Sequence, residues 1–322
     1  MAQYSPSPTT DTSGTLVLEN TQQWQQKSKS KLTVNGYYRA GMTNSKRIHL
    51  LHGTGFSAMT LAAMTSQLPN DWSIWLTDIP GHGGSTQPST KMPNWQKMAN
   101  TIADAIYLQA NVAENGPLIG IGHSMGGVLT LLAAAKYPDL FSEIILLDPV
   151  LFQSEMIIAQ QLMRATGVWR QRALVKAVAN RTATWQSLAV MKADIASKGF
   201  YKAWHPQVIS DYCQYSTNVS NEGGVTLSCE PNWEASIFGS YPKGLWRAVH
   251  DIKIPVEILV ANKSYFFIPR AVKRAAKINK NIQWQTFGQH HCFPMEEPIA
   301  TAEIITRLIA GKNASLNSYR QS

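Results

Sequence analysis

A chain of 322 residues with 44% hydrophobic and 15% charged residues carries enough apolar material for a sizeable core, in one large domain or two smaller ones, and is not a disordered polymer. Its formal net charge of +9 comes from scattered Lys and Arg, mildly concentrated at 270–280, with no basic-aromatic motif beside them. The charge therefore reads as a solvated surface, and nucleic acid is not an expected partner. Cys213, Cys229 and Cys292 are widely spaced and make no zinc-ligand pattern, which fits a reducing compartment and no metal. The N-terminus lacks a secretory pattern, and no apolar run reaches the ~18 residues needed to span a bilayer. A soluble, cytoplasmic protein without stable membrane insertion is expected.

Residues 1–14 read as a flexible tail. Short strands follow at Thr15 to Leu18 and Lys31 to Arg39, the second around an Asn35-Gly36 turn signal that could close a hairpin. From there strands and helices alternate. Strands at Lys46 to Leu51, Trp72 to Thr77, Leu118 to Ile121 and Glu143 to Leu147 are separated by helices at Ser57 to Leu68, near Asn94 to Asn111, and after Ser124. Such alternation predicts an α/β fold with a parallel sheet flanked by helices. The rhythm stops over 151–250, where helical segments at Glu155 to Thr166, Arg172 to Ala179, Thr184 to Ser197 and Gln207 to Tyr215 read as an inserted helical cap. It resumes with strands at Val256 to Ala261 and Ile282 to Phe287 and helices near Arg270 to Ile278 and Ile299 to Ala310. The expected division is an α/β core over 15–150 and 251–311, a cap or lid over 151–250, and a flexible C-terminal tail over 312–322.

One pentapeptide, Gly122-His123-Ser124-Met125-Gly126, sits where an apolar strand turns into a helix. A serine hydroxyl is a weak nucleophile at neutral pH and needs a nearby base and a rigid, exposed mount. A G-x-S-x-G turn supplies the mount: the glycines make room for the turn, and the following helix points its N-terminus at the carbonyl oxygen where charge develops. At another strand end, His52-Gly53-Thr54-Gly55 would bring bare backbone beside the serine, so that the Thr54 and Met125 amides jointly hold an oxyanion. Asp78-Ile79-Pro80-Gly81-His82-Gly83-Gly84-Ser85 reads as a structural turn, with His52 and His82 serving the turns rather than proton transfer. The candidate base lies in Gln289-His290-His291-Cys292-Phe293-Pro294-Met295-Glu296, after the last expected strand.

Together HGTG, DIPGHGGS, GHSMGG and the late HHCFPME resemble the α/β-hydrolase family over residues 31 to 311. The resemblance implies a mostly parallel eight-stranded sheet and a lid at 151–250. It favours His291 over His290 as the base, because the family histidine stands just ahead of a Phe-Pro-like segment. The family often carries the triad acid after the strand that follows the lid, but that loop, Ala261-Asn262-Lys263-Ser264-Tyr265-Phe266, offers Ser264 and no carboxylate. The alternative place is the strand before the lid, where Leu146-Leu147-Asp148-Pro149 supplies Asp148. Ser264→Ala is expected to do little, and Glu296 to steady the His291 loop. The implied activity is a serine hydrolase that cleaves an ester, thioester or similar acyl bond of a small, apolar acyl substrate through an acyl-enzyme, with no cofactor. On the same triad stand C-C bond hydrolases, perhydrolases and acyltransferases, and a ligand-binding member without turnover is the reading from another class. Oligomeric state is open.

Overall fold

The computed structural model describes residues 18–89, 92–220 and 223–318, with side chains described as far as 311. The expected tail over 1–14, and all but Leu18 of the strand expected at 15–18, lie outside the described residues. The main sheet contains β1 (Thr21–Lys27), β2 (Thr33–Arg39), β3 (Arg47–Leu51), β4 (Ser73–Thr77), β5 (Leu118–His123) and β6 (Phe141–Leu147). After three short strands of the insert, β7 (Thr184–Trp185), β8 (Thr217–Val219) and β9 (Val225–Leu227), it is completed by β10 (Val256–Val260) and β11 (Ile282–Thr286). Its order is β1-β2-β4-β3-β5-β6-β10-β11, with β1, β2 and β4 paired antiparallel and every other pairing parallel. This is the α/β-hydrolase architecture.

Strands β4, β5 and β10 are buried along their whole length, because helices cover both faces. On one face lie the helices Trp95–Gln109, Met125–Lys136, Leu245–Asp251 and Ile268–Ile278. The other is covered by the short helical turns over 58–65 and by the closing helix. Among the described residues no helix is long and apolar enough to cross a membrane.

The Asn35-Gly36 pair does not form a turn. Both residues lie inside β2, opposite Gln25 and Trp24 of β1, and the hairpin closes instead through 28–32, where Lys31 takes φ +67°. Gly36 is there for space: a Cβ would fall 2.5 Å from the Trp24 ring and 2.2 Å from the Leu76 carbonyl oxygen. The closing helix, Pro298–Ser318, runs past the expected end at Ala310 and into the stretch expected as a tail from 312.

Between β6 and β10 the chain forms helices Ser154–Thr166, Ala173–Ala179, Leu188–Ser197, Pro206–Tyr215 and Pro231–Phe238. The sequence reading anticipated only helices, but the stretch also holds a small antiparallel sheet in the order β7-β9-β8. Its packing is continuous with the main core: Trp185, Met191, Tyr212 and Leu227 join the cluster that contains Leu50, Met59 and Ile145.

Candidate active site

The chain leaves β5 at His123 and enters the helix Met125–Lys136 after one residue, Ser124, at φ 54° and ψ −118°. Such backbone is sparsely populated for a residue with a Cβ, and it persists where the surroundings over-determine it. Here the surroundings are tight: a Cβ on Gly122 would lie 2.5 Å from the Gly126 carbonyl oxygen, and one on Gly126 would lie 2.3 Å from that of His52. The Ser124 amide donates to the Leu147 carbonyl (3.0 Å), tying the turn to β6.

Three side chains from three strand ends converge there. The Ser124 hydroxyl donates to His291 Nε2 at 2.9 Å, and His291 Nδ1–H donates to Asp148 Oδ2 at 2.6 Å. Asp148 follows β6, is fully buried and takes φ 43°, while its Oδ1 accepts the Ala261 amide at 3.0 Å. His291 follows β11 with 14% of its side chain exposed, and Ser124 is 8% exposed, so both lie mostly out of solvent. A tautomer is implied: Nδ1 carries the proton that faces the carboxylate, which leaves Nε2 as the acceptor for the serine.

Above the serine runs 53–56. A Cβ on Gly53 would stand 3.0 Å from His123 Nδ1 and 3.2 Å from Ser124 Cβ, so a larger residue would have to push this backbone away from the serine by a few tenths of an ångström. Among the described residues neither the Thr54 nor the Met125 amide has an acceptor, and the Thr54 hydroxyl reaches Met125 Sδ at 3.4 Å. The two amides expected from the sequence thus sit on adjacent segments with free N–H groups.

His52 and His82 sit in these turns. His82 Nε2 accepts the Gly55 amide (3.0 Å); His52 Nε2 accepts the Ile79 amide (3.0 Å) and its Nδ1–H donates to the Gly53 carbonyl (2.7 Å). Acceptor nitrogens must be unprotonated, and burial pushes His82 down to about 4 and His52 well below its ordinary range. Asp78 completes the support by accepting the Ala58 and Gly84 amides.

Three further residues were not singled out from the sequence. His123, the variable residue ahead of the serine, donates from Nε2 to the His291 carbonyl at 2.9 Å, and burial pushes it down to about 3. Arg181 and Glu234 of the insert form a buried ion pair at 2.9 Å, and the Arg181 guanidinium also donates to the Tyr201 and Tyr212 hydroxyls. Glu234 abuts the 53–56 turn, with its Oε1 where a Gly55 Cβ would fall, 2.3 Å away. Their only signal was a charge in an apolar stretch, which sequence alone does not separate from a solvated one. Glu296 pairs with His290 Nδ1 at 3.0 Å and not with His291. Ser264, expected to be a bystander, donates its hydroxyl to Asp148 Oδ2 at 2.7 Å. Among the described residues no three His, Cys, Asp or Glu converge to hold a metal.

Residues 43–277 match the family described as serine aminopeptidase, S33. A pimeloyl-(acyl-carrier protein) methyl ester esterase of Neisseria meningitidis is 29% identical over 94 residues, 29% of this chain and 27% of the relative. A monoglyceride lipase of Rattus norvegicus is 29% identical over 118 residues, 36% of this chain and 38% of the relative. The chain thus spans about a third of the length of the curated relatives it matches. Among solved structures, a peroxisomal α/β-hydrolase of Saccharomyces cerevisiae superposes with a TM-score of 0.69 at 18% identity, over 90% of this chain and 87% of that one. An esterase of Mycobacterium tuberculosis gives 0.67 at 17% identity, over 90% and 92% of the two chains.

Proposed function

Since the chain belongs to the serine aminopeptidase S33 family of α/β-hydrolases, we propose that it is a serine hydrolase that cleaves an ester, thioester or similar acyl bond of a small, apolar substrate. The observation that supports this most is the unbroken chain of hydrogen bonds from the Ser124 hydroxyl through His291 to Asp148. Ser124 Oγ attacks the substrate carbonyl carbon while its proton passes to His291 Nε2, and Asp148 stabilises the imidazolium. The carbonyl oxygen becomes an oxyanion held by the Thr54 and Met125 amides. Collapse expels the leaving group with the proton from His291, and water, activated by the same base, releases the acid from the acyl-enzyme.

An apolar acyl or alcohol part is favoured by the rings beside the base. Tyr265 packs against the His291 ring at 4.6 Å and against Phe267 at 6.0 Å, and Phe267 stacks on Phe152 at 5.3 Å. The relatives named for ester cleavage support an ester as the bond cleaved. Residues 151–250 act as a lid in this reading: Glu234 touches the oxyanion turn, and Trp204 and Tyr212 pack on Phe56. Three buried, unpaired cysteines suit a reducing, cytoplasmic setting.

An alkyl fluorophosphonate should label Ser124 covalently, and Ser124→Ala, with its circular dichroism unchanged, should not be labelled. Labelling that persists in the alanine variant rules out the nucleophile, and an unlabelled wild-type protein favours the ligand-binding reading. A panel of p-nitrophenyl esters, thioesters and an aminoacyl anilide, assayed with and without acyl acceptors, separates hydrolysis from acyl transfer.

A further inference from the structure

We propose that Ser264 is a positioning residue for the triad acid, holding Asp148 in the orientation that meets His291; this rests on the catalytic reading above. A carboxylate accepts only, so the 2.7 Å contact is a donation from the Ser264 hydroxyl to Asp148 Oδ2, the same oxygen that receives His291 Nδ1–H. The other oxygen, Oδ1, accepts the Ala261 amide. Both donors lie on the loop leaving β10, which grips the carboxylate at two points and fixes its rotation about the Cβ–Cγ bond. The same loop is fastened to the loop that carries the base: the Asn262 amide donates to Gly288 (3.0 Å) and the Lys263 amide to Gln289 (2.8 Å). The segment 261–264 therefore sets the distance between acid and base loops while its hydroxyl aims the acid. Asp148 is fully buried, so its carboxylate depends on these protein donors for its hydrogen bonds.

The test uses steady-state hydrolysis of p-nitrophenyl acetate and the rate of fluorophosphonate labelling, on full-length variants whose folding is checked by thermal melts. Ser264→Ala should lower kcat about five- to tenfold with KM unchanged, the loss of one charge-assisted hydrogen bond. A carboxylate that has lost a donor holds the imidazolium proton more tightly, so the acidic limb of the kcat/KM profile should move to higher pH. Ser264→Thr, which keeps the hydroxyl, should restore both. If Asp148→Asn is impaired while Ser264→Ala keeps wild-type kcat and pH profile, the role of Ser264 is overturned and the triad stands. If Asp148→Asn itself is unimpaired, the acid assignment falls and Ser264 with it. Equal losses in Ser264→Ala and Ser264→Thr at an unshifted pH profile reduce the residue to packing, which also overturns the proposal.

Discussion

Acidification from pH 7 to pH 5 should destabilise this fold by about 4 kcal/mol, and four buried histidines are the cause. His49 and His123 are pushed down to about 3, His82 to about 4 and His52 well below the ordinary 6.5, in each case chiefly by burial. In the unfolded chain these rings take up protons as the pH falls through 6.5, whereas in the native state they stay neutral at pH 5. Their stabilising contribution is complete above pH 6.5 and is lost below it, at about 2 kcal/mol each over this interval, or about 8 together. Three buried carboxylates, Asp78, Asp211 and Glu234, are raised by burial and act in the opposite sense, the first two most strongly. Burial raises Asp78 to about 6 and Asp211 to about 7 from an ordinary 3.8, so the native protein binds these protons first and gains stability as the pH falls. They offset about 4 kcal/mol, which leaves a net loss of about 4 against a typical total of ~5–15 kcal/mol. For a chain of this length that corresponds to a fall in Tm of about 6 °C. Calorimetry at pH 7, 6 and 5 at constant ionic strength reads it directly. His49→Gln, whose site at Thr77 lies in the sheet away from the serine, should reduce the histidine share by about a quarter. A Tm that is flat or rises between pH 7 and pH 5 refutes the reasoning.

Asp148→Asn should lower kcat by roughly 10²-fold or more, up to about 10⁴-fold, with KM changed far less, because the amide keeps the shape but not the charge that stabilises the imidazolium. Near-normal kcat in the folded variant would remove Asp148 from the mechanism. Arg181→Lys keeps the positive charge but loses the fork that joins Glu234, Tyr201 and Tyr212, so the insert should loosen over the 53–56 turn. The p-nitrophenyl ester chain-length profile should then broaden; an unchanged profile with unchanged kcat would reduce 151–250 to structural packing.

The sheet was legible wherever a strand is buried on both faces, since Ile74 to Leu76 and Ile144 to Leu147 are apolar runs that end in turn residues, and Ile48 to Leu51 is apolar but for His49. It was illegible at the edge. TQQWQQK forms β1 with Trp24 as its one fully buried side chain, and nothing in a glutamine-rich run announces a strand. Asn35-Gly36 carried a turn signal, but cross-strand packing of Trp24 on a bare backbone overrode it. At the site, residues whose role depends on local turn geometry, such as Ser124, Thr54 and Met125, could be chosen because the turn is written in contiguous glycines. The Ser264 contact was illegible for the opposite reason: its partner Asp148 is 116 residues away, and only the sheet brings them together. The same holds for His123, whose acceptor is the His291 carbonyl 168 residues later.

That long separation bears on how the protein is made. Synthesis delivers the serine, the oxyanion turn and the acid, residues 54 to 148, long before His291, which lies 167 residues after the serine. In the proposed mechanism a nascent chain holds the elbow without its base until β11 pairs with β10 and sets the last loop against His123. On the proposed triad, reactivity waits for the loop that carries His291, so fragments truncated before that loop should be silent towards acyl compounds, however well their first half folds.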